Sequence, residues 1–176
     1  MAYILIAAGL VLLSVGIYLV LKPIAKIDNK EKGNLFEDYI IQKVAKMPNA
    51  EFISKNSDYF HKGISASENT EPDLKFKIEQ QAIAIECKWR AKFDSRGEVI
   101  WAKEYQIANY KRYQSEKKQP VFIAIGIGGS PAMPAELYII PLYRVSKLFV
   151  TREFLAEFKV KPKRPLTFSL ESNRFE

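Results

Sequence analysis

Between residues 2 and 21 the chain carries no charged side chain, and only Gly9, Ser14 and Gly16 dilute the apolar run. About twenty helical residues span ~30 Å, the thickness of a bilayer's hydrocarbon core. A helix buried in a soluble domain usually keeps one polar face, and this segment has none. A cleaved leader would have basic residues before the run and a small-x-small site after it. No Lys or Arg precedes the run, and Lys22-Pro23-Ile24-Ala25-Lys26 follows it. A lipid-modified terminus would need a Cys there, yet the single Cys is Cys87. The run therefore predicts an uncleaved transmembrane anchor over residues 1–21, followed by a polar juxtamembrane linker over 22–32. Lys22, Lys26, Lys30 and Lys32 crowd its C-terminal side. The excess of positive charge on cytoplasmic flanks then predicts a single-pass protein with its N-terminus outside and its body in the cytoplasm. The same lysines are attracted to anionic lipid of the bilayer.

The rest of the chain carries the whole formal charge of +7, from 27 Lys and Arg against 20 Asp and Glu. A basic body attracts polyanions, either nucleic acid or a membrane surface. One His and one Cys exclude paired-His metal sites, zinc fingers and internal disulfides. The 176 residues suffice for one domain with a real core.

Hydrophobic periodicity sketches that domain over residues 33–158. Phe36, Ile40, Val44 and Met47 recur at helical spacing and Pro48 ends the run, predicting a helix over 33–47. Residues 50–55 alternate like a short strand, and 56–71 are polar and turn-rich. Residues 73–78 and 82–89 predict two strands joined by a tight turn at 79–81. A loop over 91–99 and a helix over 102–117 follow. Residues 121–127 form a continuous apolar run, as in a strand buried on both faces. Gly128 to Pro131 is a turn, 137–142 a strand, and 143–158 reads as a helix. The basic, Pro-rich residues 159–176 read as a flexible tail. The expected architecture is α/β, a mixed sheet flanked by helices.

The residues best placed for chemistry are Pro72-Asp73 and Glu86-Cys87-Lys88. Alternation puts Ala84, Glu86 and Lys88 on one face of a strand and Ile83, Ile85, Cys87 and Trp89 on the other. This predicts one buried apolar face and one open face bearing an acid beside an amine. Asp73, at the open end of the hairpin, would lie across from Glu86. Two converging carboxylates suit a hard divalent cation, Mg2+ or alternatively Mn2+. Such an ion polarises a phosphodiester and acidifies a bound water, and a neighbouring lysine can orient that water or stabilise phosphate charge.

Pro72-Asp73 with Glu86-Cys87-Lys88 resembles the PD-(D/E)XK signature of restriction-endonuclease-like nucleases. The order of elements, helix, three-stranded meander, helix, strand, is similar to that family's core over about residues 33–127. The resemblance implies a metal-dependent nuclease, acting on DNA rather than RNA. Asp73 and Glu86 would be metal ligands and Lys88 the catalytic lysine. It also implies a role for Glu37 in the first helix, as a second-shell or direct ligand; the other reading is an acid stabilised near a helix N-terminus. Gln106 and Tyr110, four apart on one helical face, resemble the Gln-x-x-x-Tyr motif of the recombination-exonuclease branch, which helps position nucleic acid. Lys103, one turn earlier, would touch a phosphate. Tyr105, Tyr110 and Tyr113 interleave with Lys103, Lys111 and Arg112, which suits either core packing or base stacking.

Other residues are weaker. His61 reads as a surface side chain and Cys87 as core. Glu68 and Glu71 compete with Asp73 as ligands, and Asp73 is preferred as Glu86's neighbour. Gly126-Ile127-Gly128-Gly129 lacks the Lys-Ser/Thr of a phosphate loop. No small-molecule cofactor is implied. The alternative to a nuclease is a non-catalytic module of the same fold that tethers nucleic acid or a partner to the membrane.

Overall fold

The computed structural model describes residues 27–56 and 71–176. The apolar run at 2–21, His61 and Glu68 lie outside the described residues. Among the described residues no helix is long and apolar enough to cross a membrane.

Helix α1, Asn29–Val44, starts earlier than its apolar stripe suggests. Asp28 caps it, its Oδ1 accepting the Glu31 N–H at 2.7 Å. Asp28 followed three residues later by Glu31 is the sequence signature of such a start, and it carries the helix into the last four residues of the expected linker. Strand β1 (Ala50–Lys55), β2 (Leu74–Ile78) and β3 (Gln81–Arg90) form an antiparallel meander. The β2–β3 turn is as tight as expected, with Ile78 opposite Gln81. Strand β4 (Glu98–Ile100) and helix α2 (Glu104–Lys117) lead to β5 (Val121–Ile127), which pairs parallel to β3. Strand β6 (Glu136–Pro141) and the short β8 (Lys159–Val160) complete a six-stranded mixed sheet in the order β1-β2-β3-β5-β6-β8.

The central strands of the sheet are buried on both faces. Phe36, Ile40 and Val44 of α1 pack on Leu74, Phe76, Ile83, Ile85, Phe122 and Ile139. The opposite face packs Ala84, Ile123, Ile125 and Ile140 under Trp101, Ile107, Tyr110 and Tyr113. All seven residues of β5 are buried, as its unbroken apolar run requires.

Two expectations are corrected here. Residues 143–158 do not form one helix. After a 3-10 turn at Leu142–Arg144, strand β7 (Phe149–Thr151) pairs with β4, and only α3 (Arg152–Ala156) is helical. The β-branched Val150 and Thr151 favour strand, and Thr151 then caps α3, its hydroxyl accepting the Phe154 N–H at 3.2 Å. Val145, Val150, Leu155 and Phe158 still reach the core, so their apolarity marked burial rather than helix.

Residues 159–176, expected to be a flexible tail, are ordered instead. They contribute β8 and a small hairpin, β9 (Phe168–Ser169) with β10 (Arg174–Phe175). Leu166 and Phe175 enter the core beside Phe122. Lys43, 8% exposed on α1, fastens this segment by donating to the carbonyls of Lys161, Pro162 and Arg164. Tyr39 adds a hydrogen bond to Pro162 O at 3.0 Å. Lys43→Met should remove these charge-assisted hydrogen bonds and lower stability by about 2 kcal/mol. Chemical denaturation measures the loss, and limited proteolysis should then cut first within 159–176.

Candidate active site

The register of the meander brings the two acids together. Leu74 pairs with Ile85, so the next step of the ladder sets Asp73 beside Glu86. Asp73 lies just before β2, where the ladder ends, and its side chain substitutes for the missing strand: Oδ2 accepts the Cys87 N–H at 2.8 Å. Its carbonyl accepts the Asn56 N–H just past β1 at 2.6 Å. One aspartate thus stitches three strands.

Glu86 and Lys88 share a face, as alternation demands. That face is not open, however, because α2 packs across it. Glu86 is 1% exposed, and its Oε1 accepts from Lys88 Nζ at 2.5 Å. Its Oε2 is buried without a hydrogen-bond partner. The Tyr110 hydroxyl comes up against this carboxylate, though not as a partner of Oε2. Burial and the Glu86 charge drive the Tyr110 phenol well above its usual range, so it stays protonated.

The cleft above these residues has a volume of about 970 Å³. Asp73, Glu86, Lys88, Glu37, Gln106 and Tyr110 all line it. Lys103 is not among the lining residues. It is exposed at the N-cap of α2 rather than inside the helix, with Nζ 5.9 Å above the Tyr105 ring. Gln106 spends its side-chain oxygen on that helix end, accepting the Lys103 N–H at 3.0 Å. Glu37 pairs with Lys55 at 3.1 Å. Glu71 pairs with Lys75, which leaves Asp73 as the acid nearest Glu86. Tyr110 and Tyr113 are core residues, and Tyr110 stacks on Trp101. Cys87 faces the apolar layer under α1, as alternation indicates, and burial lifts its thiol pKa well above the ordinary range.

Some wall residues escaped the sequence reading. Asn29, Lys30, Lys32 and Gly33, in the first turn of α1, line the cleft, as does Arg90. The Asp28–Glu31 cap could have revealed the first group. Arg90 continues the alternating row Glu86, Lys88, Arg90. The N-termini of both α1 and α2 thus meet the cleft, adding positive potential where an anion would enter.

Electrostatically the floor is strained. Burial raises the Asp73 pKa well above the carboxylate range, and the Glu86 charge raises it further; the Lys88 ammonium and the Cys87 N–H only partly compensate. Burial opposes the charge on Lys88, but Glu86 and Asp73 prevail and hold its pKa above the ordinary amine value. Without a bound metal ion, Lys88 is therefore held in its charged form at neutral pH. Among the described residues no three of His, Cys, Asp and Glu group tightly enough to hold a metal. The pair Asp73 and Glu86 does fit a divalent cation on other grounds. It offers two hard oxygen donors, one of them a buried oxygen lacking a partner, and a cation would relieve their repulsion.

No protein-family model and no curated protein sequence matches the chain. Its fold is similar to that of a Holliday junction resolvase from Archaeoglobus fulgidus, an archaeal hyperthermophile. The TM-score is 0.54 at 12% identity, covering 74% of this chain and 91% of that one. At such identity the likeness establishes a shared architecture: a mixed α/β domain with a central mixed sheet and a resolvase-like core.

Proposed function

We propose that this chain is a divalent-metal-dependent nuclease hydrolysing phosphodiester bonds in DNA. The observation that carries the reading is the gathering of Asp73, Glu86 and Lys88 on the floor of one cleft, with Glu86 Oε2 buried and unpartnered. The fold shared with a Holliday junction resolvase supports it. Asp73 and Glu86 would hold Mg2+ or Mn2+, which when bound polarises the phosphodiester and acidifies the attacking water. Lys88, beside these two acids, would orient or activate that water or stabilise negative charge building on the phosphate. Tyr110 holds its proton and orders the Glu86 carboxylate. Glu37 shapes the field around Asp73 from the wall of the cleft. Gln106 braces the end of α2 that faces the substrate. The apolar run at 2–21 supports a membrane anchor, with this domain on the cytoplasmic side.

The full chain in detergent should cut plasmid and linear DNA with Mg2+ or Mn2+ and not with EDTA, read on denaturing gels. A second reading is a non-catalytic DNA tether. The 2.5 Å Lys88–Glu86 ion pair favours it, because the ammonium already occupies one carboxylate oxygen. Salt-sensitive DNA binding with no cleavage under any divalent metal would select that reading.

A further inference from the structure

We infer that the cleft takes a single-stranded segment of DNA, with Tyr105 as the platform on which an unpaired base stacks and Arg90 as a contact to its phosphate. The inference rests on the proposed nuclease reading and narrows its substrate. Three features of the cleft support it.

The acids lie deep. Glu86 is 1% exposed, and the walls above it are the first turns of α1 and α2. A duplex presents its phosphates on its outer surface and would meet the rim, whereas a lone strand can descend to the floor. Tyr105 is the second feature. Of the three tyrosines on α2 it alone stays open, 48% exposed, while Tyr110 and Tyr113 are buried. It lines the cleft beside Gln106, and Lys103 Nζ stands 5.9 Å over its ring. A cation over an aromatic ring beside a phosphate groove is the pairing by which proteins grip single strands, since bases inside a duplex offer no free face. Arg90 is the third. Its Nε donates to Ile100 O at 3.0 Å and a terminal nitrogen to Trp89 O at 2.9 Å. These two bonds fix the plane of a guanidinium in the cleft wall, two residues along the strand from Lys88.

The test is equilibrium binding of the full chain in detergent, followed by fluorescence anisotropy in EDTA so that nothing is cut. The probes are a labelled single-stranded oligonucleotide and a blunt duplex of the same sequence. The single strand should bind more tightly than the duplex. Tyr105→Ala should weaken single-strand binding about tenfold and leave duplex binding unchanged, whereas Tyr105→Phe should bind like the parent. Tyr105 is exposed, so neither change threatens folding, and circular dichroism verifies this. Duplex binding as tight as single-strand binding, or a Tyr105→Ala protein that binds like the parent, would overturn the inference. Metal-dependent cleavage accompanied by that outcome would leave the nuclease reading standing. Tyr105-dependent single-strand binding without cleavage would remove the nuclease reading and keep this one.

Discussion

Asp73→Asn is expected to abolish cleavage and at the same time to stabilise the metal-free protein. Asparagine keeps the shape and can still accept the Cys87 N–H, so the stitch between strands survives. It removes one of two neighbouring carboxylates that repel each other. Loss of a metal ligand and of charge at the reacting centre should lower the cleavage rate at least about a thousandfold. Stability in EDTA should rise by about 1–2 kcal/mol at pH 8, a few degrees in Tm. The pH dependence carries the sign. Asp73 binds its proton more tightly in the folded state, so its favourable contribution is complete below the unfolded carboxylate pKa, about 3.9. That contribution is lost as pH rises through the elevated folded value. The two proteins should therefore melt together near pH 4 and diverge as the pH is raised. Mg2+ should raise the Tm of the parent and not of Asp73→Asn, a readout independent of activity. A variant that keeps cutting, or that loses stability at pH 8, would refute this account of the floor. Lys88→Ala is the less clean probe: it leaves both acids without their counter-charge and should cost about 3–5 kcal/mol in addition to activity.

An equally large effect on stability should come from the seam between α1 and β5. Phe36 is fully buried, and its ring lies over Gly126, where a Cβ would fall 2.5 Å from Phe36 Cε2. Glycine inside a strand ordinarily weakens it, and here it admits the ring. Phe36→Ala should cost about 3–5 kcal/mol by opening a cavity. Gly126→Ala should cost about 1–3 kcal/mol by overpacking. Because the two sites share one space, Phe36→Leu combined with Gly126→Ala should lose less than the sum of the single changes. Denaturant unfolding of the four proteins measures this coupling, and strict additivity would count against direct contact. Phe36 also precedes Glu37 on the helix whose first turn walls the cleft, so Phe36→Ala should impair binding as well.

The hairpin and β5 were legible because local pattern and tertiary role agree there. The two-residue turn at Glu79 and Gln80 sets the register, and register alone brings Asp73 to Glu86. The burial of Glu86 was not legible, since alternation assigns a side chain to a face and is silent about what covers that face. Helix α2 does so, and its docking depends on contacts distant in sequence. Residues 143–158 misled for a related reason. Val145, Leu148, Phe149, Leu155 and Phe158 fall on one side of a helical wheel, yet β4 offered Phe149, Val150 and Thr151 a partner strand. The C-terminal residues read as loose because a few apolar side chains among prolines and lysines show no period. Their order comes from Lys43 and Phe122, far upstream.

Asp73 is sewn to Asn56 through its carbonyl and to Cys87 through its carboxylate, and this has a mechanical consequence. If Asp73 holds the proposed ion, its backbone cannot follow that ion outward, as a loop residue's could, without deforming the sheet. Discrimination between ions of equal charge would then reside in elasticity: a larger cation must flex three strands to be accommodated, and a small one need not.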